Sequence, residues 1–238
     1  MTLANAATPI ARRRVGNTKR DTIGRLLEVA TLEFADKGLD GARIDEIARR
    51  AGITKQLIYH YYGSKEELFA AIIEDTAARA MAEFVVLDLD HLPPVEALRA
   101  FLYHVFDQYQ RYPFLATSVT EENRHHGCHI SARNEFPNVT PLVREKLGRI
   151  IERGVVTGDF RAGIDAATLL PMAALMMGGC FVHEYCLSVM MHLDLSTPEG
   201  KKAWREHAAD FVTAAVRRQG QPDAASASKR PHMAAAFT

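Results

Sequence analysis

The sequence predicts an all-α fold of about nine or ten helices. Three observations carry this reading. Apolar residues recur at i, i+3, i+4 and i+7 through most of the chain, the spacing of one buried helix face. No segment alternates apolar and polar residues between hairpin turns, so strands are not expected. Glycine and proline fall where one apolar period ends and the next begins, as at Gly38, Gly52, Gly63, Pro93-Pro94 and Pro198.

Residues 1–17 carry Pro9, small residues and an arginine cluster without apolar periodicity, and are expected to form a disordered basic arm. Ile23, Leu26, Leu27, Ala30 and Phe34 mark one face of a first helix, which Gly38 stops. Ile44, Ile47, Ala48 and Ala51 line a short second helix that ends at Gly52. Thr54 fits the N-cap of a third helix reaching about Tyr62. Ser64 with Glu67 forms a capping box for a long fourth helix, whose apolar face begins with Leu68, Ile72 and Ile73.

After the breaker His91–Pro94 comes an amphipathic helix with Leu98, Phe101, Leu102, Val105 and Phe106. Tyr112-Pro113 starts a short segment to about His126. Pro141 is expected in the first turn of a helix that contains Leu147 and Ile150 and ends near Gly154 to Gly158. Asp165 opens a mostly apolar helix to about Met191. Thr197-Pro198 opens the last helix, with Trp204, Ala208, Phe211 and Val212 on one side. The Ala-, Ser- and Pro-rich residues 220–238 are expected to be a disordered tail.

A chain of 238 residues, 47% hydrophobic and 24% charged, has the composition of an ordinary globular protein. No apolar run approaches the ~18–20 residues of a membrane helix, and no membrane partner is expected. Arg12 to Arg14 lead into polar sequence and not into an apolar signal region, so a cytoplasmic protein is expected. Three cysteines, Cys128, Cys180 and Cys186, do not suggest a disulfide framework. The net charge is zero but unevenly spread. Up to Lys65 there are 12 Lys and Arg against 7 Asp and Glu, and the remainder holds 17 against 22. A basic N-terminal third suggests a localised anionic partner.

The most specific stretch runs from Arg43 to Leu68. Ala48 is small where two helices must cross, and Gly52 permits the positive φ of a tight turn. Ile47, Ile53 and Ile58 are expected to plug the space between the helices. Lys55, Gln56, Tyr59 and His60 then fall on the outer side of a short helix rich in donors for a DNA major groove.

This stretch resembles the TetR family signature. It has an Ile-Ala pair (Ile47-Ala48), Ala51-Gly52, the β-branched Ile53, Thr54, then Tyr59, the aromatic pair Tyr61-Tyr62, Gly63-Ser64-Lys65-Glu66 and Leu68. The resemblance is strong over about residues 18–70. It implies a three-helix, helix-turn-helix DNA-binding domain at 18–64 and a helical ligand-binding and dimerisation domain at 65–219. It also implies a dimeric repressor that leaves a palindromic operator when a small-molecule effector binds. Thr54, Tyr59 and Lys65 are assigned to phosphates by the resemblance. Lys55 and Gln56 are candidates for base edges, and His60 and Tyr61 for either role. Arg43 departs from the family, where many members carry Thr as the cap of the second helix. Arginine cannot cap in that way but can reach a phosphate.

The resemblance places homodimer contacts in the helices at about 165–191 and 198–218. A helix apolar on most sides must be buried on most sides, which suits that role. Pocket candidates are Phe101, His104, Gln108, Phe114, Glu121, Asn123, Met176, Cys180 and His183. They combine apolar surface with a few polar anchors. An aromatic, a fatty acyl group and a drug-like compound each fit such a lining. Two clusters have side chains suited to a borderline metal: His125 to His129, and Cys180, His183 and Glu184 on one helix face. Neither shows a CxxC or HxxxH pattern, and no metal or cofactor is expected. An enzyme is the competing class, but there is no Gly-rich phosphate loop and no Gly-x-Ser-x-Gly elbow. An architectural DNA-binding protein without a ligand predicts no cavity.

Overall fold

The computed structural model describes residues 19–127 and 136–218; the expected arm and tail, Cys128 and His129 lie outside them. Among the described residues there are ten helices and no strand. They are α1 (Lys19–Gly41), α2 (Ile44–Ala51), α3 (Lys55–Tyr62), α4 (Lys65–Val86), α5 (Pro94–Arg111), α6 (Phe114–Arg124), α7 (Phe136–Thr157), α8 (Ala166–Val182), α9 (Glu184–Met191) and α10 (Pro198–Val216). No single one is long and apolar enough to cross a membrane. The chain divides into two compact units between Ile72 and Ile73, within α4.

In the first unit, α1 kinks at Gly38, whose φ of 66° and ψ of −176° lie outside the helical region. Leu26, Ala30 and Phe34 are buried as their spacing predicts, while Ile23 and Leu27 are half-buried. Phe34 meets Phe69 of α4 edge-on, with ring centroids 5.1 Å apart. Polar groups tie α1 to α2. Glu33 is buried and accepts from Lys37 at 2.7 Å and from Arg50 at 3.3 Å. Arg25 Nε donates to the Ala51 carbonyl at 2.8 Å. A buried carboxylate needs such partners to offset its desolvation.

The second unit is built around α5, whose Leu98, Phe101, Leu102, Val105 and Phe106 are buried. Helices α7, α8 and α10 pack against it. Two cations on α7, one heptad apart, hold the α4–α5 connection. Lys146 Nζ donates to the carbonyls of Phe84 (2.8 Å), Val85 (3.0 Å) and Leu87. Arg153 donates to those of Leu89 (3.0 Å), Asp90 and Leu92. The carbonyls at the end of α4 lack intrahelical partners, and Lys146 supplies one.

Two boundaries differ from the sequence expectation. Helix α7 begins at Phe136, so Pro141 lies inside the helix and Pro137 takes the first-turn place that suits proline. The apolar helix expected to reach Met191 ends at Val182, and α9 continues at an angle of 89°. Gly178 and Gly179 precede the break. The Trp204 indole rests against Gly179, and its Nε1 takes the Met176 carbonyl at 2.9 Å. Large apolar side chains remain exposed on α8 (Met172 and Leu175), on α9 (Tyr185, Val189 and Met190) and on α10 (Phe211).

Candidate DNA-reading head and ligand cavity

The turn between α2 and α3 is fixed by its glycine. Gly52 adopts the left-handed conformation (φ 66°, ψ 36°), and Ile53 N–H returns to the Ala48 carbonyl at 3.1 Å. Ile47 and Ile58 are fully buried; Ile53, expected to plug the same space, is half-buried. Thr54 Oγ1 accepts from Leu57 N–H at 3.3 Å and so caps α3. Ser64 Oγ accepts from Glu67 N–H at 3.0 Å and starts α4. Between them Gly63 has φ 74°, and a Cβ there would collide with the Glu67 carboxylate.

With Ile58 turned inward, α3 exposes Lys55 and Gln56 in one turn and Tyr59 and His60 in the next. Arg43, Lys55, Tyr59 and Lys65 border one shallow depression, together with Asp45, Glu66 and the Gly63-Ser64 backbone. Tyr61 is half-buried: its ring lies 5.6 Å from that of His60, and Lys19 Nζ sits 5.5 Å above it. Lys65 Nζ lies 3.4 Å from the Asp40 carbonyl and 3.5 Å from that of Ala42. Lys55 pairs with Asp45 at 3.1 Å across α2 and α3. An exposed pair of this kind contributes little stability. Asp45→Asn is therefore expected to leave folding unchanged, free Lys55 and tighten DNA binding about threefold to tenfold. Unchanged affinity in a mobility shift would count against a Lys55–DNA contact.

Arg43 occupies the N-cap of α2 without a side-chain hydrogen bond. Arg43→Thr is expected to supply the missing cap and stabilise the fold by about 1 kcal/mol. The same change removes a cation from the depression and weakens DNA binding. Thermal unfolding and a mobility shift, read together, check both signs.

In the second unit, helices α4 to α8 line a half-open cavity of about 430 Å³. Ala77, Met81 and Phe84 of α4 and Leu170 of α8 make its wall largely apolar. Polar groups enter from Gln108 and Tyr109 of α5, Ser118 of α6, and Thr140 and Arg144 of α7. The Gln108 amide is oriented by its neighbours: Nε2 donates to Glu83 at 2.8 Å and lies 2.9 Å from His104 Nε2. A carboxylate only accepts, so the amide nitrogen must face it. Burial alone raises the Glu83 carboxyl, but hydrogen bonds from Tyr112, Gln108 and Arg111 outweigh it and hold it below the usual range. Burial lowers His104 below the usual imidazole range, which favours the neutral ring as acceptor.

The pocket candidates divide. Gln108 lines this cavity, and Asn123 and His183 line a smaller neighbouring chamber. Phe101, Phe114 and Cys180 are not at either wall but in the core, where burial pushes the Cys180 thiol up to about 12. His104 stands behind Gln108, its ring edge-on to Phe84 at 4.5 Å. Glu121 is buried beside His125 and Arg124, at 3.6 and 3.8 Å. Met176 contributes its carbonyl to Trp204. The bend at His183 removes His183 and Glu184 from the helix of Cys180, so the expected shared helix face does not exist. Among the described residues no three His, Cys, Asp or Glu side chains are grouped to hold a metal. Arg144, Ser118 and the α4 residues escaped sequence reasoning, because a helix face turned to a cavity carries the same apolar period as one turned to the core.

An αL-glycine turn, a capped two-turn helix with an outer row of donors, and an all-helical second unit define a helix-turn-helix DNA-binding protein. The N-terminal model of the bacterial regulatory proteins, tetR family, matches residues 26–72. The tetracyclin repressor-like C-terminal domain matches residues 94–212. The HTH-type transcriptional repressor NicS of Pseudomonas putida is 31% identical over 200 residues, 83% of this chain and 93% of the relative. The HTH-type transcriptional repressor SCO4008 of Streptomyces coelicolor is 36% identical over 143 residues, 57% of this chain and 68% of the relative. The fold matches the regulator PfmR of Thermus thermophilus (TM-score 0.58, 24% identity, 82% of this chain and all of that one). It also matches a TetR regulator of Haloarcula marismortui (TM-score 0.60, 20% identity, 84% and all). The chain belongs to the TetR family of transcriptional regulators, which are DNA-binding proteins and not enzymes.

Proposed function

We propose that the protein is a repressor that binds a palindromic operator as a homodimer and leaves it when a small molecule enters the cavity. The observation that carries this reading is the presence, in one chain, of a donor-rich α3 face and a largely apolar, half-open cavity. In it, residues 18–64 read DNA and residues 65–219 bind the effector and dimerise. Two relatives named as repressors favour repression.

A single two-turn recognition helix reaches few base pairs. Two of them on a two-fold axis read half-sites about 34–36 Å apart. The exposed Met172 and Leu175 of α8 and Phe211 of α10 supply the apolar surface that such pairing buries. Phosphate contacts fall to Thr54, Tyr59 and Lys65, with Arg43 beside them, and base contacts to Lys55 and Gln56. His60 and Tyr61 flank both sets.

For release, α7 borders the cavity through Val143 and Arg144 and grips the last carbonyls of α4 through Lys146. A ligand that shifts α7 therefore acts on α4, the helix whose first residue is Lys65. The coupling is only as large as the ligand's preference between the two dimer states. Selection of bound duplexes from a random pool, with the mass of the complex measured alongside, tests the symmetry. The expected result is an enriched inverted repeat carrying two copies of the chain. A single asymmetric site bound by one copy overturns the reading.

A further inference from the structure

A second chamber of about 320 Å³ adjoins the cavity, bordered by Thr120 and Asn123 of α6 and by Gly178, Gly179 and His183 at the α8 bend. Tyr109, Val119 and Ala174 border both chambers and form the partition between them. Tyr109 is its bulk. Its ring stacks on Phe181, with centroids 5.7 Å apart and planes 14° apart. It also rests on Gly178, where a Cβ would fall 2.5 Å from the ring. The ring occupies this position only because residue 178 is glycine.

Tyr109 is half-buried, and its hydroxyl is not among the buried groups left without a partner; burial of the ring raises its pKa. Gln108 beside it has its Oε1 buried without a partner. Among the described residues that border either chamber, Arg144 alone carries a full charge, and no Asp or Glu does. Arg144 is exposed to solvent where it borders the first chamber, interacts there with the charge of Asp165, and does not border the second. An apolar chamber with one guanidinium at its solvent-exposed edge disfavours an ammonium and favours a carboxylate, which guanidinium binds through two parallel hydrogen bonds.

We propose that the ligand is an elongated apolar carboxylate. Its headgroup is held by Arg144, its body fills the first chamber, and Tyr109 at the partition sets the longest body that fits. This rests on the reading of the cavity as an effector site, and binding and release are separable.

The test uses saturated straight-chain monocarboxylates of about six to twelve carbons and alkyltrimethylammonium ions of equal length, titrated calorimetrically into the full chain. Carboxylate affinity is expected to rise about fourfold per methylene to a limit and then fall. The ammonium series is expected to bind at least about tenfold more weakly, and Arg144→Gln to erase the difference. Tyr109→Ala is expected to move the limit up by about three carbons or more. Val119→Ala widens the same partition more gently, and replaces it should Tyr109→Ala fail to fold. No binding by any carboxylate, equal binding of the ammonium ions, or an unmoved limit in a folded partition variant overturns the proposal. The same carboxylates are then added to the protein–DNA complex. Binding without release contradicts the effector reading and leaves the ligand class standing.

Discussion

Tyr59→Phe combined with Lys65→Ala is expected to weaken binding to every duplex about a hundredfold and to flatten its dependence on salt. Tyr59 is exposed on the outer face of α3, and Lys65 opens α4 on the rim of the same depression. A phosphate placed there meets a phenol, an ammonium and the N-terminal amides of α4, whose dipole favours an anion. Each lysine that neutralises a phosphate adds about 0.9 to the slope of log affinity against log salt. Loss of one per protomer in a dimer should lower the slope by about 2. Phosphates carry no sequence information, so specific and scrambled duplexes should lose affinity alike. Gln56→Ala, by contrast, should lower discrimination at one position by about 1–3 kcal/mol and leave the slope unchanged. Lys65 also reaches the Asp40 and Ala42 carbonyls. Thermal unfolding of the double variant therefore accompanies the titration, and a small shift in Tm is expected. An unchanged salt slope would remove Lys65 from the phosphate contacts.

Gly154→Ala is expected to destabilise the second unit by about 3 kcal/mol. Gly154 lies in α7, and a Cβ on it would overlap the ring of Phe160, which is 2% exposed. The ring has little room to retreat. Phe160 N–H donates to the Gly154 carbonyl at 2.9 Å. The residues on either side are pinned to the end of α10, by Arg161 N–H to Val216 at 3.0 Å and by Arg218 N–H to the Asp159 carbonyl at 3.1 Å. The overlap is specific to one pair, so it has a specific remedy. Phe160→Leu, mildly destabilising alone, should recover at least about 1 kcal/mol in the Gly154→Ala background. Denaturant unfolding of the four proteins measures this coupling. Strict additivity of the two changes would contradict the packing described here.

Signals confined to a few residues were legible in the sequence. Thr54 and Ser64 cap their helices through hydrogen bonds to backbone three residues on. Gly52 marks its turn by a conformation that side chains disfavour. The outer face of α3 followed from Ile58 alone, since in a two-turn helix one buried residue fixes the rest. What depended on distant partners was not legible. The α8–α9 bend is not marked by a proline, and the Trp204 that packs beside it lies 28 residues beyond the carbonyl it binds. Pro141 suggested a helix start because proline suits a first turn, but Pro137 already fills that place. In α5, Phe101 faces the core and Gln108 the cavity, yet both belong to one buried stripe. Only the placement of α4 and α6 opposite tells wall from core.

The central claim is that this chain binds specific DNA through α3 as a pair. Its most direct test is equilibrium binding of the full chain to the intergenic DNA upstream of its own gene. Two salt concentrations are used, and the mass of the complex is read by light scattering. The prediction is salt-sensitive binding, far tighter than to unrelated duplex, with two copies of the chain on each site. Binding no tighter than to unrelated DNA, or a complex with a single copy, would contradict it.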